Sequence, residues 1–191
     1  MSDTQTVVLV EGLSDKSAVE TLAKRRGVDL AAEGISLVAM GGATNIRTYA
    51  GRFGPSGSNL RLAGLCDAGE EGDYRRGLER AGLISGSGRS DLEAIGFFVC
   101  VADLEDELIR TLGTAAVEEV VDAEGELGSF RTLQKQPAWR GGSTHDQLRR
   151  FMGSGSGRKI RYSGLLIEAL DLDRVPRPLD LLTHLAGSRR W

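Results

Sequence analysis

Four short apolar runs recur along the first 110 residues, each followed by a stretch of helical periodicity. Val7-Val8-Leu9-Val10 is continuous, as in a strand buried on both faces. Gly12-Leu13-Ser14 turns the chain, and Ser14 or Asp15 is placed to cap a helix with Ala18, Val19, Leu22 and Ala23 on one face and Gly27 at its end. Ile35–Met40 is the second strand; Gly41-Gly42 is a tight turn, and Thr44 or Asn45 caps a short helix to about Gly51. After a Gly/Pro/Ser loop at 54–59, Leu60–Cys66 is the third strand, and a helix is predicted over Glu70–Ala81. Ser85–Gly88 is a flexible loop, and Phe97–Ala102 the fourth strand. Asp103 caps a helix through Leu112, and another begins at Thr114–Val121. Strand and helix alternating four times predict an α/β fold: a Rossmann-like, mostly parallel sheet with helices on both faces.

From about residue 129 the punctuation changes. Pro137, Gly141-Gly142 and the Gly/Ser stretch 153–157 separate helical pieces at Asp146–Met152 and Ile160–Leu170. Pro178 suits the first turn of a last helix carrying Leu179, Leu181, Leu182 and Leu185. The stretch 153–157 reads as a mobile loop delivering Arg158 and Lys159.

Composition adds one informative fact. Residues 1–130 hold 12 Lys and Arg against 22 Asp and Glu, a balance of −10; residues 131–191 hold 12 against 5, a balance of +7. Two readings fit: cations that grip nucleic-acid phosphates beside acids that hold metal ions, or two surfaces that attract each other. No apolar stretch is long enough to cross a membrane, and Met1–Gln5 lacks the features of a signal peptide, so cytoplasmic residence is expected. Cys66 and Cys100 fall within strands and read as reduced core residues.

The acids stand out by position. Glu11 closes the first strand, Asp67 closes the third, and Asp103 and Glu105 follow the fourth. In a parallel sheet these exits lie on one edge, where sites form. Charged groups there require a partner or a metal, and oxygen ligands without histidine point to Mg²⁺ or Mn²⁺. Such sites carry out phosphoryl transfer or phosphodiester cleavage. Asp15, four residues after Glu11, reaches the same cleft or caps its helix. Glu70, Glu71, Asp106 and Glu107 fit helix starts. A cation on the Gly-rich segment, with Lys159 as a point charge and Arg158 and Arg161 as planar clamps, would stabilise a transition-state phosphate, unless it is simply solvated. His145 and His184 lack zinc spacing. Gly41-Gly42-Ala43-Thr44-Asn45 resembles a phosphate-binding turn before a helix. No Gly-Lys-Ser/Thr occurs, so the chain displays no ATPase motif of its own.

Val7–Asp15, Leu60–Asp67 and Asp103–Leu108, in this order, resemble the TOPRIM domain of topoisomerases, bacterial primases and OLD-type nucleases. The acidic run at 103–108 and the Gly-rich loop ending in Arg158-Lys159 make the chain most similar to the OLD branch. The resemblance implies a TOPRIM catalytic domain over 1–128 and a basic helical extension, 129–191, packed on it. It implies a nuclease that cleaves DNA phosphodiesters with two Mg²⁺ or Mn²⁺ ions held by Glu11, Asp15, Asp67, Asp103 and Glu105, with Glu11 and Lys159 catalytic. Arg158, Lys159 and Arg161 would contact nucleic acid. A TOPRIM ribonuclease and a non-catalytic nucleic-acid-binding subunit of an ATPase complex are the alternatives. A separate ATPase partner and a homodimer are compatible with the resemblance. The chain departs from the family at Gly69, where a second Asp is usual; Glu70 or Glu71 would have to substitute. Neither Tyr74 nor Tyr162 sits in a strand-passage context.

Overall fold

A computed structural model of the chain describes residues 5–86, 88–155 and 157–187. The expected absence of a leader at residues 1–4 therefore lies outside the described residues, as do Ser87 and Ser156 of the two Gly/Ser loops. Four strands, β1 (Thr6–Val10), β2 (Ile35–Ala39), β3 (Arg61–Cys66) and β4 (Phe97–Val99), form one all-parallel sheet in the order β2-β1-β3-β4. Parallel neighbours need crossovers, and helices supply them: α1 (Leu13–Arg25), α2 (Ile46–Phe53), and α3 (Glu71–Arg80) with α4 (Arg89–Ala94).

Side-chain alternation divides the core into two layers. Val8, Val10, Ala63, Leu65, Phe98 and Cys100 face α1 and the later helices. Val7, Leu9, Leu62, Cys66, Phe97 and Val99 face α2, α3 and α4. The expected two-sided α/β architecture is borne out. Gly64 is required where it stands: a Cβ there would lie 2.6 Å from the Leu9 carbonyl oxygen and 2.6 Å from the Phe97 ring.

Beyond β4 come α5 (Leu104–Leu112), α6 (Thr114–Ala123), α7 (Leu127–Lys135), α8 (Thr144–Met152), α9 (Arg158–Ala169) and α10 (Arg177–Gly187). The helices from α7 onward share their apolar interior with the sheet: Phe130, Leu148, Phe151, Tyr162, Leu166, Leu179 and Leu182 belong to the same buried cluster as Val8 and Leu65. α9 lies against α1 with their chains running the same way. A Cβ at Gly164 would lie 3.2 Å from Ser17 Oγ, and further along Arg25 donates to the carbonyls of Ile167 (2.6 Å) and Leu170 (2.7 Å).

Several boundaries differ from the sequence reading. β4 ends at Val99 rather than Ala102, because the Val101 N–H donates to Glu107 (2.7 Å) instead of extending the ladder. Arg158 and Lys159 are not on a loop; they form the first turn of α9, which begins where Gly157 takes a left-handed conformation (φ 75°). α4 and α7 had no counterpart in the reading: one is six residues long, the other places only Phe130 and Leu133 inward. The cap of α1 is Gly12, and Asp15 reaches back to accept its N–H (2.8 Å).

Candidate metal centre

Glu11 leaves β1, Asp67 leaves β3, and Asp103 follows β4 by way of a short turn held to β3 by Cys100 N–H donating to Cys66 O and Ala68 N–H donating to Ala102 O (both 2.9 Å). Because all strands are parallel, the three acids emerge on one edge. α1 adds Asp15, α5 adds Glu105, and α9 brings Lys159 to the same place.

Mutual proximity appears in how these groups titrate. Burial pushes the Asp67 carboxyl up to about 7 from its ordinary 3.8, and the charges of Asp15, Glu11 and Asp103 push the same way. Burial raises Glu11, helped by Asp15 and Glu70 and opposed by Lys159. Burial also raises Asp15, against the Gly12 N–H and Lys159. Glu105 is raised by burial against the pull of Lys159. Burial works against the charge on Lys159, but the Glu105 carboxylate 3.2 Å away, with Asp15 and Asp67 beyond it, outweighs burial and holds the ammonium above its ordinary value.

The carboxylates differ in how far they are satisfied. Glu11 Oε2 and Glu105 Oε1 are buried without a hydrogen-bond partner. An orphaned buried carboxylate oxygen is costly and is what a hard cation would satisfy. Asp103 has both oxygens engaged: Oδ1 accepts the Asp106 N–H at the start of α5 (2.8 Å), and Oδ2 accepts from Arg149 of α8. Among the described residues, no three His, Cys, Asp or Glu side chains already surround a common point. The donor set nevertheless suits Mg²⁺ or Mn²⁺, which Mg²⁺-type sites hold with one or two carboxylates, waters and substrate phosphate oxygens rather than a closed protein cage.

Glu70 and Glu71 differ in their pairing. Glu71 is held by Arg75 (2.8 Å) and Arg89 (2.5 Å), and the Arg89 hydrogen bond pulls its carboxyl below the ordinary range. Glu70 is not held in this way, and its charge adds to the rise at Glu11. A Cβ at Gly69 would meet nothing within 4 Å.

The basic segment behaves differently from its first reading. Arg158 and Arg161 do not join Lys159. Both turn to Glu126, which accepts from Arg158 Nη2 (3.0 Å), Arg161 Nη2 (2.6 Å) and the Tyr162 hydroxyl (2.8 Å). Arg158 also lies 4.3 Å from the Phe151 ring centroid. Arg131 pairs with Glu118 and Arg177 with Glu93. Much of the charge asymmetry is thus internal attraction between the two parts of the chain. The Gly41-Gly42 turn is likewise occupied: both N–H groups donate to the Glu11 carbonyl (2.9 and 3.1 Å), and Asn45 Nδ2 donates to Met40 O (2.9 Å). Tyr74 is buried with its hydroxyl donating to Leu65 O (3.0 Å). Both cysteines are free and buried, and burial pushes Cys66 up to about 12.

Sequence reasoning missed Arg149, Arg150 and Trp139. With Asp103, Glu105 and Lys159 they line a cleft of about 560 Å³ beside the acids. Arg149 had no signal beyond its helical spacing from Asp146; only the packing of α8 on α5 brings it to Asp103. His145 of α8 lies 3.1 Å from Asp106, whose other oxygen pairs with Arg110 of α5 (2.7 Å), so both oxygens of this carboxylate face basic side chains.

Residues 4–67 match the family model described as the TOPRIM domain of overcoming-lysogenization-defect-like proteins. The chain also resembles solved structures of OLD protein C-terminal regions. That from Xanthomonas campestris pv. campestris, phased with mercury, is 24% identical with a TM-score of 0.71, covering 97% of this chain and 96% of that one. A platinum-phased structure of the same region gives 23% and 0.72, covering 95% and 91%. The Burkholderia pseudomallei counterpart gives 20% and 0.66, covering 96% of each. Comparison with curated protein sequences gives no match. The TOPRIM resemblance on the OLD side and the α/β fold are borne out.

Proposed function

We propose that this chain, with its OLD-like TOPRIM region, is a divalent-metal-dependent nuclease that cleaves DNA phosphodiester bonds. The observation that carries the reading is the pair of buried, unpartnered carboxylate oxygens, Glu11 Oε2 and Glu105 Oε1, beside an Asp67 whose neighbours are acids. Glu11, Asp15, Asp67 and Glu105 would hold one or two Mg²⁺ or Mn²⁺ ions, with Glu70 in the place of the usual second Asp. Held there, such ions would supply activation of an attacking water and neutralisation of charge on the reacting phosphate.

The chain's own groups do the rest. Lys159 carries its charge next to Glu105 and donates to phosphate oxygens as negative charge builds. Arg149 pairs with Asp103 at the edge of the cleft, and its planar guanidinium would donate to a nucleic-acid phosphate there. Nucleic-acid contact is assigned to Lys159, Arg149 and Arg150; Arg158 and Arg161 instead fix α9 to Glu126. A separate ATPase partner, homodimer formation and a cytoplasmic location belong to the same reading. Among the described residues no helix is long and apolar enough to cross a membrane.

Gly69 favours a second reading, a nucleic-acid-binding subunit that does not cut. The test is cleavage of supercoiled plasmid, single-stranded DNA and RNA in Mg²⁺, Mn²⁺, Ca²⁺ or EDTA, with Glu11→Gln alongside. The expected result is cutting of DNA that requires Mg²⁺ or Mn²⁺ and falls about 100-fold in the variant, the scale for removing one group that stabilises transition-state charge. Preference for RNA would redirect the assignment to RNA processing. Binding without cutting in every metal would establish the second reading.

A further inference from the structure

The cleft beside the acids is not lined like a groove for the sugar–phosphate exterior of a duplex. Its lining sets Arg149, Arg150 and Lys159 beside the acids Asp103, Glu105 and Asp146, and Trp139 lies with them. Trp139 is half-buried: part of it packs on the core, and part faces the cleft. Its segment is fixed, because Gln147 donates to the Trp139 carbonyl (2.8 Å). Arg150 is exposed and has no acidic partner among the described residues, in contrast to Arg149 and Lys159.

The large hydrophobic side chains exposed among the described residues tell the same story. They are Leu13 (59%), Val101 (66%) and Ile160 (38%). Each is within two residues of a centre residue: Leu13 between Glu11 and Asp15, Val101 before Asp103, Ile160 after Lys159. Leu13 and Val101 follow the ends of β1 and β4, and the parallel packing of α1 and α9 places Ile160 at the Leu13 end of α1. The exposed apolar groups thus gather on the same sheet edge as the acids. A duplex presents charged phosphates to such an edge and hides its base faces. An unpaired strand presents both: phosphates for the cations, and flat apolar base faces for an aromatic ring and an apolar rim.

We propose that the cleft seats an unpaired DNA nucleotide, with its base against Trp139 and its phosphate at Arg150 and Lys159, so that the bond cut lies in a single-stranded or opened stretch. The proposal rests on the nuclease reading for its consequence, but binding can be measured without cleavage. The probe is a fluorescein-labelled DNA oligonucleotide, single-stranded or annealed to its complement, titrated by anisotropy in Ca²⁺ and in EDTA. Tryptophan emission is followed in a Trp191→Phe background, which leaves Trp139 as the single indole.

The expected result is several-fold tighter binding of the single strand, with quenching of Trp139 emission. Trp139→Ala should weaken single-strand binding by roughly 5- to 100-fold, the scale of one base stacked on an aromatic ring. Trp139→Phe should restore much of it. Arg150→Gln should lower both affinity and its salt dependence. Equal affinity for both forms, or no quenching of Trp139, overturns the proposal. If Trp139→Ala unfolds, the quenching and Trp139→Phe arms still decide. Metal-dependent cleavage with no quenching would sink this proposal alone; quenching with no cleavage in any metal would sink the nuclease reading alone.

Discussion

Replacing Asp67 by Asn should stabilise the metal-free protein. The Asp67 side chain makes no capping bond to the turn that follows, so the change removes charge and little else. Burial and the charges of Asp15, Glu11 and Asp103 push its carboxyl up from 3.8 to about 7. At about 1.4 kcal/mol per pH unit, that difference sets an upper bound of about 4 kcal/mol. Solvent reaches part of Asp67, and screening reduces the expected effect to about 1–2 kcal/mol. The direction follows from proton linkage. An acid whose folded value is raised keeps its proton in the folded state while the unfolded state releases it. Its contribution is therefore intact below pH 3.8 and is lost as pH rises to about 7. Thermal melting in EDTA from pH 4 to pH 8 is the assay. The variant should gain on the native chain as pH rises and hold a lead of about 2–8 °C at pH 8, the scale for a chain of this size. Saturating Mg²⁺ should reverse the order, since a ligand at 100 times its dissociation constant adds about 2.7 kcal/mol to whichever form binds it. A native chain as stable as the variant in EDTA at pH 8, or a gap that ignores pH, would refute the acid-cluster argument.

Gly69→Asp should tighten Mn²⁺ binding without loss of fold, because a Cβ there meets nothing and the backbone is not left-handed; calorimetric titration with Mn²⁺ should register a gain of about 10-fold, the lower scale of effects around metal ligands. Glu126→Gln should lower the melting temperature modestly by weakening the Arg158 and Arg161 pairs, while metal-dependent activity stays unchanged; melting and plasmid cleavage together check it.

Much of the architecture is legible in the order of residues. Short apolar runs alternating with helical periodicity specify parallel strands with helical crossovers, because such strands are buried on both faces and need covering elements. Four strand cores are recognisable, and so is the placement of Glu11 and Asp67 at strand exits with Asp103 and Glu105 just beyond the fourth strand, since a parallel sheet sends every strand end to one edge. The lengths of α4 and α7 and the end of β4 were not legible: they depend on capping and side-chain hydrogen bonds that local periodicity does not encode.

What each charge does was decided by tertiary structure. Arg158, Lys159 and Arg161 are near neighbours in sequence, yet the geometry of α9 sends Lys159 to Glu105 and the two arginines to Glu126. Glu70 and Glu71 are adjacent, yet Arg75 and Arg89 claim only the second. Arg149 and Trp139 enter the site solely because α8 and its preceding loop fold onto α5. Sequence alone places the acids, because strand polarity is a local property carried through the sheet. Partners are chosen by Coulomb attraction and burial over a few ångströms, and those distances exist only once the chain has folded.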